Sequence, residues 1–185
     1  MLGIKNLSDT VLFSDSDVPL VVKRDTSLKS ALQILKLRAG QKVKLPYPYA
    51  LTLLREGLAE VDEEQLPSLS SVKKIAWAEE KSEDLQPLSE DFYLKLMLYV
   101  QGLKGKAAQG DEKAEEALRK LRISVTDLVR LRTLKIAQLA LKNPTPDKEK
   151  MGHMTREEQV FYINLCHYIS SWMSDVVDSI FGGSR

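Results

Sequence analysis

The sequence predicts an α+β protein: a small β-rich amino-terminal domain with one helix, followed by an all-α carboxy-terminal helical bundle. Three observations carry this. Apolar runs before residue 62 are short and bounded by Asp, Ser, Gly or Pro, the punctuation of small strands and turns. A polar, irregular stretch with Pro67 and Pro87 at its ends comes next. From Leu88 onward apolar residues recur at helical spacing nearly to the end. The expected domains are therefore 1–66, β-rich; 67–87, a linker; and 88–185, helical.

In the first domain, "TVLFSD", "VPLVVKRD" and "QKVKLP" read as short strands, whereas "LQILKL" fits a strand or a buried helix. "YPYALTLLREG" reads as one short helix, with Pro48 in its first turn, where a missing N–H costs nothing, and Gly57 at its end. "LAEVD" returns to extended chain. Tyr47, Pro48 and Tyr49 are expected to brace the strand-to-helix corner of a docking module, with Leu51 and Leu54 packing it. In the linker only Ile75 and Trp77 look able to pack, and Trp77 is expected to dock part of it back on a domain.

The helical half opens with "SEDFYLKLMLYVQGLKGK", whose Phe92, Leu96, Tyr99, Val100 and Leu103 share helical spacing and whose Gly102, Gly105 and Gly110 mark fraying and a turn. "DEKAEEALRKLR" reads as a short polar helix. A separate helix is expected from Ser124, where Ser124 and Asp127 match a capping box, to the "NPTP" stop. Thr155 and Glu158 form a second capping box opening a helix over about residues 156–181, about 39 Å long at 1.5 Å per residue.

That last helix carries two apolar stripes: Phe161, Leu165, Tyr168, Trp172, Val176, Ile180, and Tyr162, Cys166, Ile169, Met173, Val177. Offset by one residue, about 100° apart, they cover more of the helix than the roughly 100° arc a surface helix needs. Either the helix is buried by its companions, or one stripe packs inside the chain and the other meets a second polypeptide. Phe161, Leu165, Tyr168, Trp172, Met173 and Val176 are the candidate core or subunit-interface residues, and large anchors such as Trp172 suit obligate interfaces.

Composition bounds the chemistry. The 185 residues are 43% apolar and 29% charged, with net charge +1, an ordinary globular balance without a global field for nucleic acid or membrane. A single cysteine precludes an internal disulfide and suits a reducing cytosol. "MLGIKNLSDT" lacks the features of a signal peptide, and no apolar run approaches the roughly 20 residues of a membrane span. The expectation is a soluble cytoplasmic protein without membrane association. Cys166 and His167 are adjacent, but helix neighbours project about 100° apart and do not face each other. With only two histidines and one cysteine, a metal site is not expected. No phosphate loop or nucleophile elbow is present. The sequence therefore predicts neither an enzyme nor a cofactor.

Basic residues cluster between positions 119 and 142: seven Arg or Lys against Asp127 alone, or 7 − 1 = +6. Pairing with acids such as Glu115, Glu116, Glu157 or Glu158 on packed neighbours is the preferred reading. Electrostatic contact with DNA phosphates through the helix 124–143, by Arg130, Arg132 and Lys135, is the alternative.

Together these segments resemble a known family, the archaeal GINS subunits. "DFYLKL" followed by "LRISVTDLVRLRTLKIAQLAL", with its Arg-x-x-Lys-Ile run at Arg132 to Ile136, is similar to the family's first and central helices. "MTREEQVFYINLCHYISSWMSDVV" resembles the last helix, and "GQKVKLPYPYALTLLREGLAEV" the small β-rich domain. The β-rich module precedes the helical one, the order of the subunit type related to the second and third eukaryotic subunits. The resemblance implies a non-catalytic scaffold in a heterotetramer, usually two copies of each of two subunit types, or in a complex of one type alone where no second exists. It further implies association with the MCM replicative helicase and a RecJ-like nuclease in support of replication initiation and fork unwinding.

Overall fold

The computed structural model describes residues 16–29 and 34–182. The expected strand in "TVLFSD" lies outside them. The chain contains strands β1 (Asp17–Val22), β2 (Thr26–Lys29), β3 (Ile34–Leu37) and β4 (Lys42–Pro46), helix α1 (Tyr47–Arg55) and strand β5 (Ala59–Val61). Helices α2 (Leu69–Lys81), α3 (Phe92–Ala108), α4 (Glu112–Lys142), α5 (Lys148–Met151) and α6 (Arg156–Phe181) follow. The architecture is the expected small β-sheet region with one helix, then an all-helical bundle.

Two compact units emerge. The first comprises the described residues up to Pro67 together with Tyr93–Gly102 of α3. Its sheet has the antiparallel order β4-β1-β5, with Val18 opposite Leu45, and Leu20 opposite both Val43 and Val61. Alternation along β1 sends Val18, Leu20 and Val22 into the core. β2 and β3 pair as a separate antiparallel ribbon, with Leu28 opposite Leu35, so "LQILKL" resolves in part as a strand. α1 places Ala50 and Leu53 on that core, joined by Leu94 and Leu98 from α3. Pro48 sits in the first turn of α1. At its other end, Gly57 adopts φ +67°, the Leu58 N–H donates to the Leu53 carbonyl, and the Gly57 N–H donates to the Leu54 carbonyl. This is a Schellman stop, which needs a left-handed residue that glycine supplies without a Cβ penalty. At the strand-to-helix corner Tyr47 is buried, whereas Pro48 and Tyr49 lie at the surface.

The second unit comprises residues 68–92 and 103 onward. The stretch 67–87, expected to be a linker, is largely helix α2. Ser68 caps it by accepting from the Ser71 N–H, and its inward positions are Val72 and Glu79. A charged residue on the inner face breaks the apolar periodicity by which a helix is recognised. Trp77, expected to dock, is instead 63% exposed.

α4 also differs from expectation. It runs unbroken for 31 residues from the Asp111 cap, whose Oδ1 accepts from the Lys113 and Ala114 N–H groups. Ser124 is not a cap: its hydroxyl donates to the Lys120 carbonyl within the helix. Leu121 and Leu128 continue one buried face across Ser124, so tertiary burial overrides the local capping pattern. Likewise α3 passes through Gly102 and Gly105, and the turn comes at Gly110, with φ +88°. α6 opens on the expected capping box, with the Thr155 hydroxyl accepting from the Glu158 N–H and the Glu158 carboxylate from the Thr155 N–H. Ile136 and Ala140 of α4 pack with Leu85, Met154, Tyr162 and Cys166 to form this unit's core.

Candidate assembly surface

The second unit is built around a buried ion cluster. Arg132 of α4 is fully buried, as is Glu79 of α2, and Glu158 of α6 is nearly so. The guanidinium spends all five of its N–H donors. Nε and one Nη bond the Glu158 carboxylate at 2.7 and 2.8 Å; the remaining donors reach Glu79 Oε2 at 2.7 Å, the Gln86 carbonyl at 2.7 Å and the His153 carbonyl at 2.8 Å. Arginine alone supplies five donors in a rigid fork. Lys135, one turn on, donates to Glu79 Oε1 at 2.7 Å and to the Glu79 and Asp84 carbonyls at 2.6 and 3.0 Å, placing a cation at the carboxyl end of α2, where the helix dipole favours it. Two cations meet two carboxylates, so the cluster is neutral. Burial opposes the Arg132 charge, but Glu158 and Glu79 outweigh it and hold the guanidinium above its ordinary value. The cluster ties α2, the segment after it and the α5–α6 turn to α4, and so fixes where α6 leaves the bundle.

This geometry redistributes the residues singled out from the sequence. Of Arg130, Arg132 and Lys135, Arg132 is buried, Lys135 is mostly covered, and Arg130 is exposed. Glu158 pairs with Arg132 and Glu116 with Lys120. Glu79, at the centre, had no sequence signal beyond its place in a polar run.

Along α6 the two stripes are covered unequally, and only in the first half of the helix. Tyr162 and Cys166 are buried, and Leu165 and Ile169 are half-buried against the core. Phe161 faces outward at 40% exposure. Beyond Ile169 every described residue of the helix is exposed. Tyr168, Trp172, Met173 and Val176 thus project from the bundle, with Trp172 at 67%. Its companions cover one side of the first half of the helix and leave the second half bare.

A second exposed feature lies between α2 and α4: a groove of about 870 Å³ lined by Lys73, Trp77 and Glu80 on one side and Asp127, Arg130 and Leu134 on the other.

Cys166 and His167 do not form an activated pair. Burial raises the Cys166 thiol above its ordinary value, the opposite of what a reactive thiolate requires, and His167 is exposed on another face. Among the described residues no three His, Cys, Asp or Glu side chains gather into a metal site, and no helix is long and apolar enough to cross a membrane.

In the first turn of α6, both Glu157 carboxylate oxygens are buried, and burial, offset only in part by the Glu157 N–H and the Thr155 hydroxyl, pushes the Glu157 carboxyl above its ordinary value. A raised carboxyl pKa stabilises the fold while the group is protonated and removes that stability as pH rises through the unfolded and then the folded value. Glu157→Gln is therefore expected to melt above the parent at pH 7, with the difference closing as the pH falls below the ordinary carboxylate range. A thermal melt series from pH 3 to pH 8 (about the span over which carboxylates titrate) checks this; a variant melting below the parent at pH 7 refutes it.

A family model described as "Sld5: GINS complex protein helical bundle domain" matches residues 65–177. No curated protein matches the chain. The match begins before α2 and takes in most of α6, and therefore includes the ion cluster.

Proposed function

The chain belongs to the GINS family, whose members are subunits of a complex acting in DNA replication, and from that premise we propose that it serves there as a non-catalytic scaffold. In this reading it assembles with a second GINS subunit type into a 2:2 heterotetramer. The assembled particle then associates with the MCM helicase and a RecJ-like nuclease to support initiation and fork unwinding. The observation that carries the proposal is the uncovered end of α6, where Tyr168, Trp172, Met173 and Val176 present apolar surface that the chain's own helices leave bare. The small β-rich unit, with Pro48 and Tyr49 at its surface corner, extends or locks these contacts.

Light scattering on the chain mixed with the second subunit type tests assembly: a particle of four chains is expected, and a persistent monomer at micromolar concentration overturns the reading. Affinity purification of the tagged chain from its source cells, with the retained chains identified by mass spectrometry, tests the partners. Absence of helicase and nuclease alongside an intact tetramer removes those two partners and leaves the scaffold.

A further inference from the structure

We propose that the groove between α2 and α4 receives the exposed end of α6 from a second copy of this chain. The inference rests on the assembly reading above and names the occupant of one of its contacts.

The dimensions agree. The groove follows α4 from Ser124 to Ala137, and α6 is uncovered from about Tyr168 to Phe181; each stretch is about 20 Å at 1.5 Å per residue. The chemistry of the two surfaces also agrees. Trp77 and Leu134 stand 63% and 57% exposed at the groove, apolar partners for Trp172, Met173 and Val176. On α4, Arg119, Ile123, Asp127, Arg130, Leu134 and Leu141 follow at steps of three, four or seven residues, so they share one face. That face continues the groove along the helix.

Charge decides the occupant. Glu80 and Asp127 line the groove along with Lys73 and Arg130, so its floor is balanced. The exposed surface of the two helices as a whole is not: over α2 and α4 nine exposed residues are basic and five acidic, 9 − 5 = +4. The end of α6, residues 168–181, has Asp175 and Asp178 and no Lys or Arg, for −2, and its carboxyl-terminal dipole adds to the negative sign. The basic surplus shared by α2 and α4 thus has a counterpart in the chain's own last helix. That helix end cannot fill the groove of its own chain, because from Ser170 to Phe181 it is exposed throughout. In a second copy the exchange is reciprocal, and a two-fold axis closes it without leaving an open surface to propagate.

Sedimentation velocity on the full-length chain alone, without the other subunit type, tests this. Self-association is expected. Lys73→Glu with Arg130→Glu should weaken it about tenfold, as should Asp175→Lys with Asp178→Lys, while one chain carrying all four substitutions recovers the parental affinity. Recovery supports the pairing, because a merely structural role for these exposed residues would not produce it. Self-association indifferent to both pairs overturns the inference and leaves the assembly reading standing. So does a chain that is monomeric alone yet enters the tetramer with the other subunit type, since the occupant is then that subunit. Salt-dependent binding to a DNA duplex, abolished by Lys73→Glu with Arg130→Glu while self-association is unchanged, would assign the surface to nucleic acid instead. A chain that stays monomeric even with the other subunit type sinks both readings.

Discussion

Arg132→Ala is expected to cost about 3–5 kcal/mol of unfolding free energy, the range for removing one member of a buried charge pair. The substitution leaves Glu158 buried without its main counter-charge and deprives the Gln86 and His153 carbonyls of their shared donor. Glu79 keeps Lys135, so the cluster passes from neutral to a net charge of −1. For a chain of this length the loss corresponds to a fall in Tm on the order of 10 °C. Arg132→Lys recovers only part of it, because an ammonium has three donors against the five that the site uses. Arg130→Ala, two residues away but exposed, should stay within about 0.5 kcal/mol. Urea titrations of the three variants decide the matter. A cost for Arg132→Ala no larger than that for Arg130→Ala would show that the cluster contributes nothing to the bundle. The comparison also governs how DNA contact is tested: charge reversal at Arg132 would unfold the unit before it could report on binding.

Trp172→Glu should separate assembly from folding. Trp172 is 67% exposed in the single chain, so placing a charge there disturbs little intramolecular packing, and the monomer should melt close to the parent. If the end of α6 is covered by another chain, the same charge sits in a desolvated contact. A central aromatic anchor of that kind is typically worth about 2 kcal/mol or more, which is on the order of a thirtyfold loss of affinity. Mass measured against concentration should therefore show subunits dissociating at concentrations where the parent remains assembled. Tyr168→Glu, with 72% exposure, is expected to act in the same direction. Tyr162→Glu, at a buried position in the first half of the helix, should instead unfold the helical unit. Unchanged mass together with a lowered Tm for Trp172→Glu would place the tryptophan in the chain's own packing and remove α6 from the interface.

The elements foreseen from the sequence were those with local, self-contained signals. α1 is framed by Pro48 and Gly57, and α6 by the Thr155–Glu158 capping box. Such signals act over a few residues, so they remain visible without knowledge of the rest of the chain. Two elements lack such signals because long-range partners decide them. α2 turns Glu79 inward, and only Arg132 and Lys135, more than 50 positions later, make that burial tolerable. Ser124 has the form of a cap, but Leu121 and Leu128 share one buried face on either side of it, and that packing carries the helix through.

The α+β class, the order of the β-rich and helical regions and the surplus of apolar side chains on the last helix were all determined by the sequence. Periodicity and turn residues are properties of neighbouring positions. Tertiary structure decided how far along α6 the inward packing extends and where the helix leaves the bundle. It also decided which arginine is structural and which is free to meet a partner. Arg130 and Arg132 differ by two positions and not at all in chemistry. One is consumed by carboxylates from two other helices and the other faces solvent, a distinction set by the geometry of distant segments meeting.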